Sequence, residues 1–154
     1  GPLLNPCRPK NSLHGTATQS QLRLYTSVHQ KIGDNFGVVT SYDGYDEISL
    51  TSEFKVMTRL YERVYTPVEM GLRYTSPEEL NGGSTPEQAA AIFDAVLHGT
   101  ATEAQKNVVI ANAACGISIM DKNLTMAQTV EMARESLESG KALECFRKFV
   151  SINS

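Results

Sequence analysis

Phe36-Gly37-Val38-Val39-Thr40-Ser41-Tyr42-Asp43-Gly44-Tyr45-Asp46-Glu47 decides how the rest of the chain is read. Its first half is a short apolar run bounded by a turn signal, the pattern of a buried strand. Asp43-Gly44 marks the turn, because glycine accepts backbone angles that other residues resist. Three carboxylates, Asp43, Asp46 and Glu47, therefore fall on a loop at the carboxyl end of a strand. In open α/β sheets that edge is where ligands bind. Neighbouring carboxylates on a loop suit Mg²⁺, which takes one or two protein oxygens and keeps other positions for water and phosphate. From spacing alone the plainer reading, a solvated acidic turn, is favoured.

Working backwards, Asn11 to Thr16 reads as a strand, and Thr18 opens a helix reaching about Ile32. Leu22, Tyr25, Val28 and Ile32 fall at helical spacing, and Gly33 ends the helix. Strand, helix and strand within roughly thirty residues make a βαβ unit, with parallel strands and a right-handed crossover. Residues 1–9 are rich in proline and read as irregular. Working forwards, Ile48-Ser49-Leu50 reads as a brief strand. Phe54–Tyr61 and Arg63–Thr66 read as an antiparallel pair.

Beyond Thr66 the character becomes helical. A Thr-x-x-Gln capping box recurs at Thr18/Gln21, Thr85/Gln88, Thr102/Gln105 and Thr125/Gln128, with Glu versions at Thr66/Glu69 and Ser76/Glu79. In such a box the hydroxyl accepts from the third amide while the longer side chain reaches back to the cap amide. Helices are expected at 86–98, 103–121, 126–139 and 141–150. The second of these is apolar nearly all round and is expected to be the central buried helix. Asn112 lies inside it and needs a partner, expected to be a loop backbone. Leu143, Phe146 and Phe149 form a narrower stripe on the last helix.

The 154 residues suit one domain, which buries roughly 70% of its unfolded surface. A hydrophobic fraction of 41% is that of a globular chain, and a net charge of −3 offers no nucleic-acid or membrane-surface partner. No run in these residues is apolar enough to read as transmembrane, and a signal peptide is not expected. Cys7, Cys115 and Cys145 are odd in number and lack metal-ligand spacing. They read as reduced thiols of a cytoplasmic protein, two of them on apolar helix faces. Asn81-Gly82-Gly83-Ser84-Thr85 feeds a helix amino terminus that can hold an anion, but without a lysine a flexible connection is favoured. His14, His29 and His98 are read as structural, with His29 solvated. Arg8 faces either an anionic ligand or a nearby carboxylate.

Taken in order, Gly1-Pro-Leu-Leu-Asn-Pro-Cys-Arg-Pro9, Asp43-Gly-Tyr-Asp-Glu47 with Ile48-Ser-Leu-Thr51, Asn81-Gly-Gly83, Asn112-Ala-Ala114 and Ser139-Gly-Lys-Ala-Leu143 closely resemble the carboxyl-terminal half of anthranilate phosphoribosyltransferase. The likeness runs along essentially the whole chain. It implies an α/β fold: a βαβ-containing mixed sheet flanked by helices, part of a nucleoside phosphorylase/phosphoribosyltransferase catalytic domain. Residues 1–154 form a single unit of it.

That family joins phosphoribosyl pyrophosphate (PRPP) to anthranilate in tryptophan synthesis, uses Mg²⁺, and is usually a homodimer. Its magnesium-ligating pair falls on Asp46 and Glu47, and no other residue here is assigned to catalysis or cofactor binding. The family's amino-terminal helical domain, Gly-rich PRPP loop and anthranilate-binding Arg precede the Gly-Pro-Leu motif. The chain is thus expected to be one part of a longer enzyme, inactive alone. Thr40 stands where a His is common, and Ser84 where an Asp often follows the glycines. The alternatives are part of a related pyrimidine nucleoside phosphorylase, or a noncatalytic transferase-like paralogue.

Overall fold

The computed structural model describes residue 3 and residues 5–153. Gly1, Pro2 and Leu4 of the opening motif lie outside the described residues.

The βαβ unit is present. Strand β1 (Asn11–Gly15), helix α1 (Gln19–Ile32) and strand β2 (Asn35–Ser41) follow one another, and β1 runs parallel to β2 with Gly15 opposite Val39. Thr18 Oγ1 accepts from Gln21 N–H at 3.2 Å, and Gly33, at φ 88°, closes the helix in the left-handed region. Strands β3 (Phe54–Thr58) and β4 (Glu62–Tyr65) add antiparallel, completing a mixed sheet in the order β1-β2-β3-β4. Four helices follow: α2 (Pro86–Leu97), α3 (Glu103–Met120), α4 (Met126–Glu138) and α5 (Lys141–Asn153).

Strand β2 is buried from Phe36 to Ser41, polar Thr40 and Ser41 included, because both its faces are covered. Phe36 and Val38 pack with Leu22 of α1 on one side. Val39 joins the main core, with Ile110, Ala111, Ala114 and Cys115 of α3 and Val130, Ala133 and Leu137 of α4. Each large side chain buried in this way contributes about 1.5–3 kcal/mol. The central placement expected of α3 holds: it lies between the sheet and α4. Burial pushes the Cys115 thiol up to about 12, which leaves it protonated and unreactive.

Four expectations need correction. Strand β3 ends at Thr58 rather than Tyr61, because the Thr58 hydroxyl accepts from the Leu60 and Tyr61 N–H groups (3.1 Å each) and folds the turn. The Thr66 and Ser76 boxes form, but they open single 3₁₀ turns, Val68–Met70 and Pro77–Leu80, not α-helices. Ile48–Leu50 is not a strand. Its side chains are fully buried, but Leu50 has φ 60° and the Ile48 backbone is taken by a side chain. Helix α5 buries no residue: Cys145 is exposed, Phe149 is 63% exposed, and Phe146 meets Phe93 edge-on at 5.0 Å.

Candidate metal centre

The acidic loop leaves β2 at Ser41 and is tied by several backbone bonds. Ser41 N–H donates to the Tyr45 C=O (3.0 Å), Gly44 N–H to the Ser41 C=O (3.2 Å), and Tyr42 N–H to the Glu53 C=O (2.9 Å). Gly44 sits at φ 96°, where the turn needs glycine. The Thr51 hydroxyl donates to the Asp43 carboxylate, so Asp43 is engaged in closing the loop. Asp46 and Glu47 are exposed and make no ion pair among the described residues, unlike Glu62, Glu69, Glu79 and Glu135.

Below the pair the packing is close. Ser41 Oγ–H donates to the Glu47 C=O at 2.5 Å. Asn112 Oδ1 accepts from Ile48 N–H at 3.1 Å, and Nδ2 donates to the Ile48 C=O at 2.9 Å. The loop-backbone partner expected for Asn112 is therefore Ile48. Gly15, at the end of β1, lies so close to Asp46 that a Cβ there would stand 1.6 Å from the Asp46 carbonyl oxygen. Sequence reading missed Ser41 and Gly15 as supports, because neither carries a local pattern that points across space.

The donor set fits Mg²⁺. Two hard carboxylates with no protein cation beside them are exposed to water. Among the described residues no group of three His, Cys, Asp or Glu side chains stands together as a metal site, so an ion held by this pair would take most of its positions from water and phosphate.

Other expected sites resolve differently. In the Gly82-Gly83 turn, Gly83 N–H donates to Asn81 Oδ1 (2.9 Å) and Ser84 N–H to Gln88 Oε1 (2.6 Å). Two of the turn's amides are thus already taken, which favours the connecting role. Arg8 is exposed, has φ 41°, and makes no ion pair among the described residues. Thr40 is 1% exposed and its hydroxyl has no partner among the described residues.

His29 is buried, not solvated. Its Nδ1–H donates to both Asp34 carboxylate oxygens at 2.9 and 3.1 Å, and its ring stacks on Phe36 at 5.2 Å and on His14 at 4.5 Å. Accordingly the buried stripe of α1 runs Leu22-Thr26-His29, and Ile32 is 57% exposed. Desolvation first, and the charge of His29 second, hold His14 below the ordinary histidine range, with Asp34 opposing. The unfolded chain therefore binds the extra proton first. Stability from this group is fully present above about pH 6.5 and is lost as pH falls through the lowered folded value. His14→Gln is expected to flatten the fall in urea midpoint between about pH 7 and 5. An unaltered slope would rule the His14 contribution out.

The exposed acidic pair thus stands at the carboxyl end of a βαβ strand, in a mixed sheet flanked by helices. The chain belongs to the glycosyl transferase family, whose a/b domain matches residues 1–143. The relatives carry a more particular name. An anthranilate phosphoribosyltransferase of Phocaeicola vulgatus is 53% identical over 154 residues, 100% of this chain and 46% of that protein. One of Bacteroides fragilis is 54% identical over 153 residues, 99% of this chain and 46% of that protein. The chain thus spans about half the length of the curated relatives it matches.

Solved structures agree in fold. The Saccharomyces cerevisiae anthranilate phosphoribosyltransferase in complex with PRPP and Mg has a TM-score of 0.87 at 21% identity, over 98% of this chain and 44% of that chain. The Thermus thermophilus anthranilate phosphoribosyltransferase has a TM-score of 0.81 at 28% identity, over 89% of this chain and 41% of that chain.

Proposed function

We propose that this chain is the metal-side wall of an anthranilate phosphoribosyltransferase, a Mg²⁺-dependent pentosyltransferase of tryptophan synthesis. It would form the carboxyl-terminal part of a longer, cytoplasmic, homodimeric enzyme. The reaction moves the phosphoribosyl group from PRPP to anthranilate and releases pyrophosphate. The observation that carries the reading is the exposed, cation-free pair Asp46 and Glu47 on a loop anchored from β1, β2 and α3. When bound, Mg²⁺ neutralises the charge gathering on the departing pyrophosphate as the ribosyl carbon becomes cationic.

The chain's own residues do the holding. Asp46 and Glu47 would present their carboxylate oxygens to the ion from an exposed loop. The remaining wall, which must grip the phosphates and the anthranilate, is assigned to the rest of the longer enzyme. The 154 residues alone are therefore expected to show no transferase activity. A related pyrimidine nucleoside phosphorylase would have no need of the acidic pair, so the pair favours the PRPP enzyme.

Titration calorimetry of PRPP into a full-length enzyme carrying this segment tests the reading. Binding that depends on Mg²⁺ supports it. PRPP binding of equal strength in Mg²⁺ and in chelator, or no PRPP binding at all, would overturn it.

A further inference from the structure

Asn112 belongs to α3, yet its carboxamide bonds the backbone of the acidic loop. Besides its two bonds to Ile48, Nδ2 donates to the Val108 C=O at 2.9 Å, which fixes the amide plane against its own helix. Asn112 Oδ1 holds the N–H of the peptide joining Glu47 to Ile48 (3.1 Å), and Ser41 Oγ–H holds the oxygen of that same peptide (2.5 Å). Ser41 is itself buried, and its Oγ also accepts from Ser49 N–H at 3.3 Å. One clamp is rooted in α3 and the other in β2. Together they fix the peptide plane that sets where Glu47 points.

We propose that Asn112 and Ser41 are positioning residues that set the divalent-cation affinity of Asp46 and Glu47 by locking the Glu47–Ile48 peptide. The inference rests on the metal reading above. An unlocked pair would have to be ordered each time an ion binds, and ordering one residue lowers an affinity by about tenfold. Side chains that orient metal ligands without touching the ion have effects of about 10–100-fold. Asparagine suits the task because one short planar group both accepts and donates, as a neighbouring strand would.

The test is Mn²⁺ binding, followed by electron paramagnetic resonance, in a full-length enzyme carrying this segment with PRPP at saturation. Asn112→Ala is expected to raise the Mn²⁺ Kd about tenfold or more. Ser41→Ala is expected to raise it at least about threefold. Leu137→Ala, a core truncation on α4, serves as the control and is expected to lower the urea midpoint with the Mn²⁺ Kd unchanged. If Asn112→Ala does not fold, Ser41→Ala decides alone. Should the two clamp variants lose stability as Leu137→Ala does while keeping the native Kd, and Asp46→Asn still weaken Mn²⁺, this inference falls and the metal reading stands. A native Mn²⁺ Kd in Asp46→Asn would remove both.

Discussion

Asp46→Asn, in a full-length enzyme carrying this segment, is expected to lower kcat/KM by about 10²–10³-fold at fixed Mg²⁺. The substitution keeps the size of the side chain and one of its oxygens but removes the charge. A hard divalent ion on few protein ligands loses most from that change. The fold has little stake in the Asp46 side chain, which is exposed and makes no ion pair among the described residues. Stability is therefore expected to move by no more than about 0.5 kcal/mol. Raising Mg²⁺ is expected to recover part of the activity.

Asp43→Asn provides the contrast. Asp43 accepts from the Thr51 hydroxyl, and an asparagine oxygen can do the same, so that variant is expected to stay within a few-fold of the parent enzyme. Steady-state kinetics across a Mg²⁺ series distinguishes the two. Equal turnover in Asp46→Asn and the parent would withdraw the metal role from this loop.

The parts of this molecule that follow from local chemistry were legible in the sequence. Thr18, Gly33 and the apolar run of β2 each act on near neighbours, and together they specify the βαβ unit. The acidic pair was legible as an exposed loop feature for the same reason. What depends on distant contact was not. Ile48 and Leu50 are buried as strand residues would be, yet the partner of the Ile48 backbone is a side chain 64 residues away. Asn112 advertised a need for a partner without naming it.

His29 misled in another way. A histidine on a helix is ordinarily given to solvent, and here an aspartate just past the helix end, with two aromatic rings, makes burial tolerable. The capping boxes show the limit of a strong local signal. Six were legible, but Thr18 and Thr85 form only the hydroxyl half, and the Thr66 and Ser76 boxes open a single turn that stops at left-handed Gly71 and at Asn81 before Gly82-Gly83.

Gly15→Ala is expected to destabilise the chain by about 3 kcal/mol or more, near the upper end for one methyl group. Gly15 has an ordinary backbone angle, so the cost is steric. The added Cβ would stand 1.6 Å from the Asp46 carbonyl oxygen and 2.8 Å from its carbonyl carbon, and backbone atoms cannot rotate aside. Either β1 or the acidic loop must move, and the loop's movement breaks the bonds that Ser41 and Asn112 make beneath it. Gly37→Ala is the matched comparison on β2. Its Cβ would stand 2.3 Å from Ile119 Cδ1, the far end of a flexible side chain that can swing away. That variant is expected to lose about 1–3 kcal/mol and to leave the loop in place. Urea denaturation of both variants gives the order directly, and hydrogen exchange over residues 42–50 is expected to quicken in Gly15→Ala alone. A loss below about 1 kcal/mol in Gly15→Ala would mean that the β1 end and the loop are free to part, and that Asp46 is not held from this side.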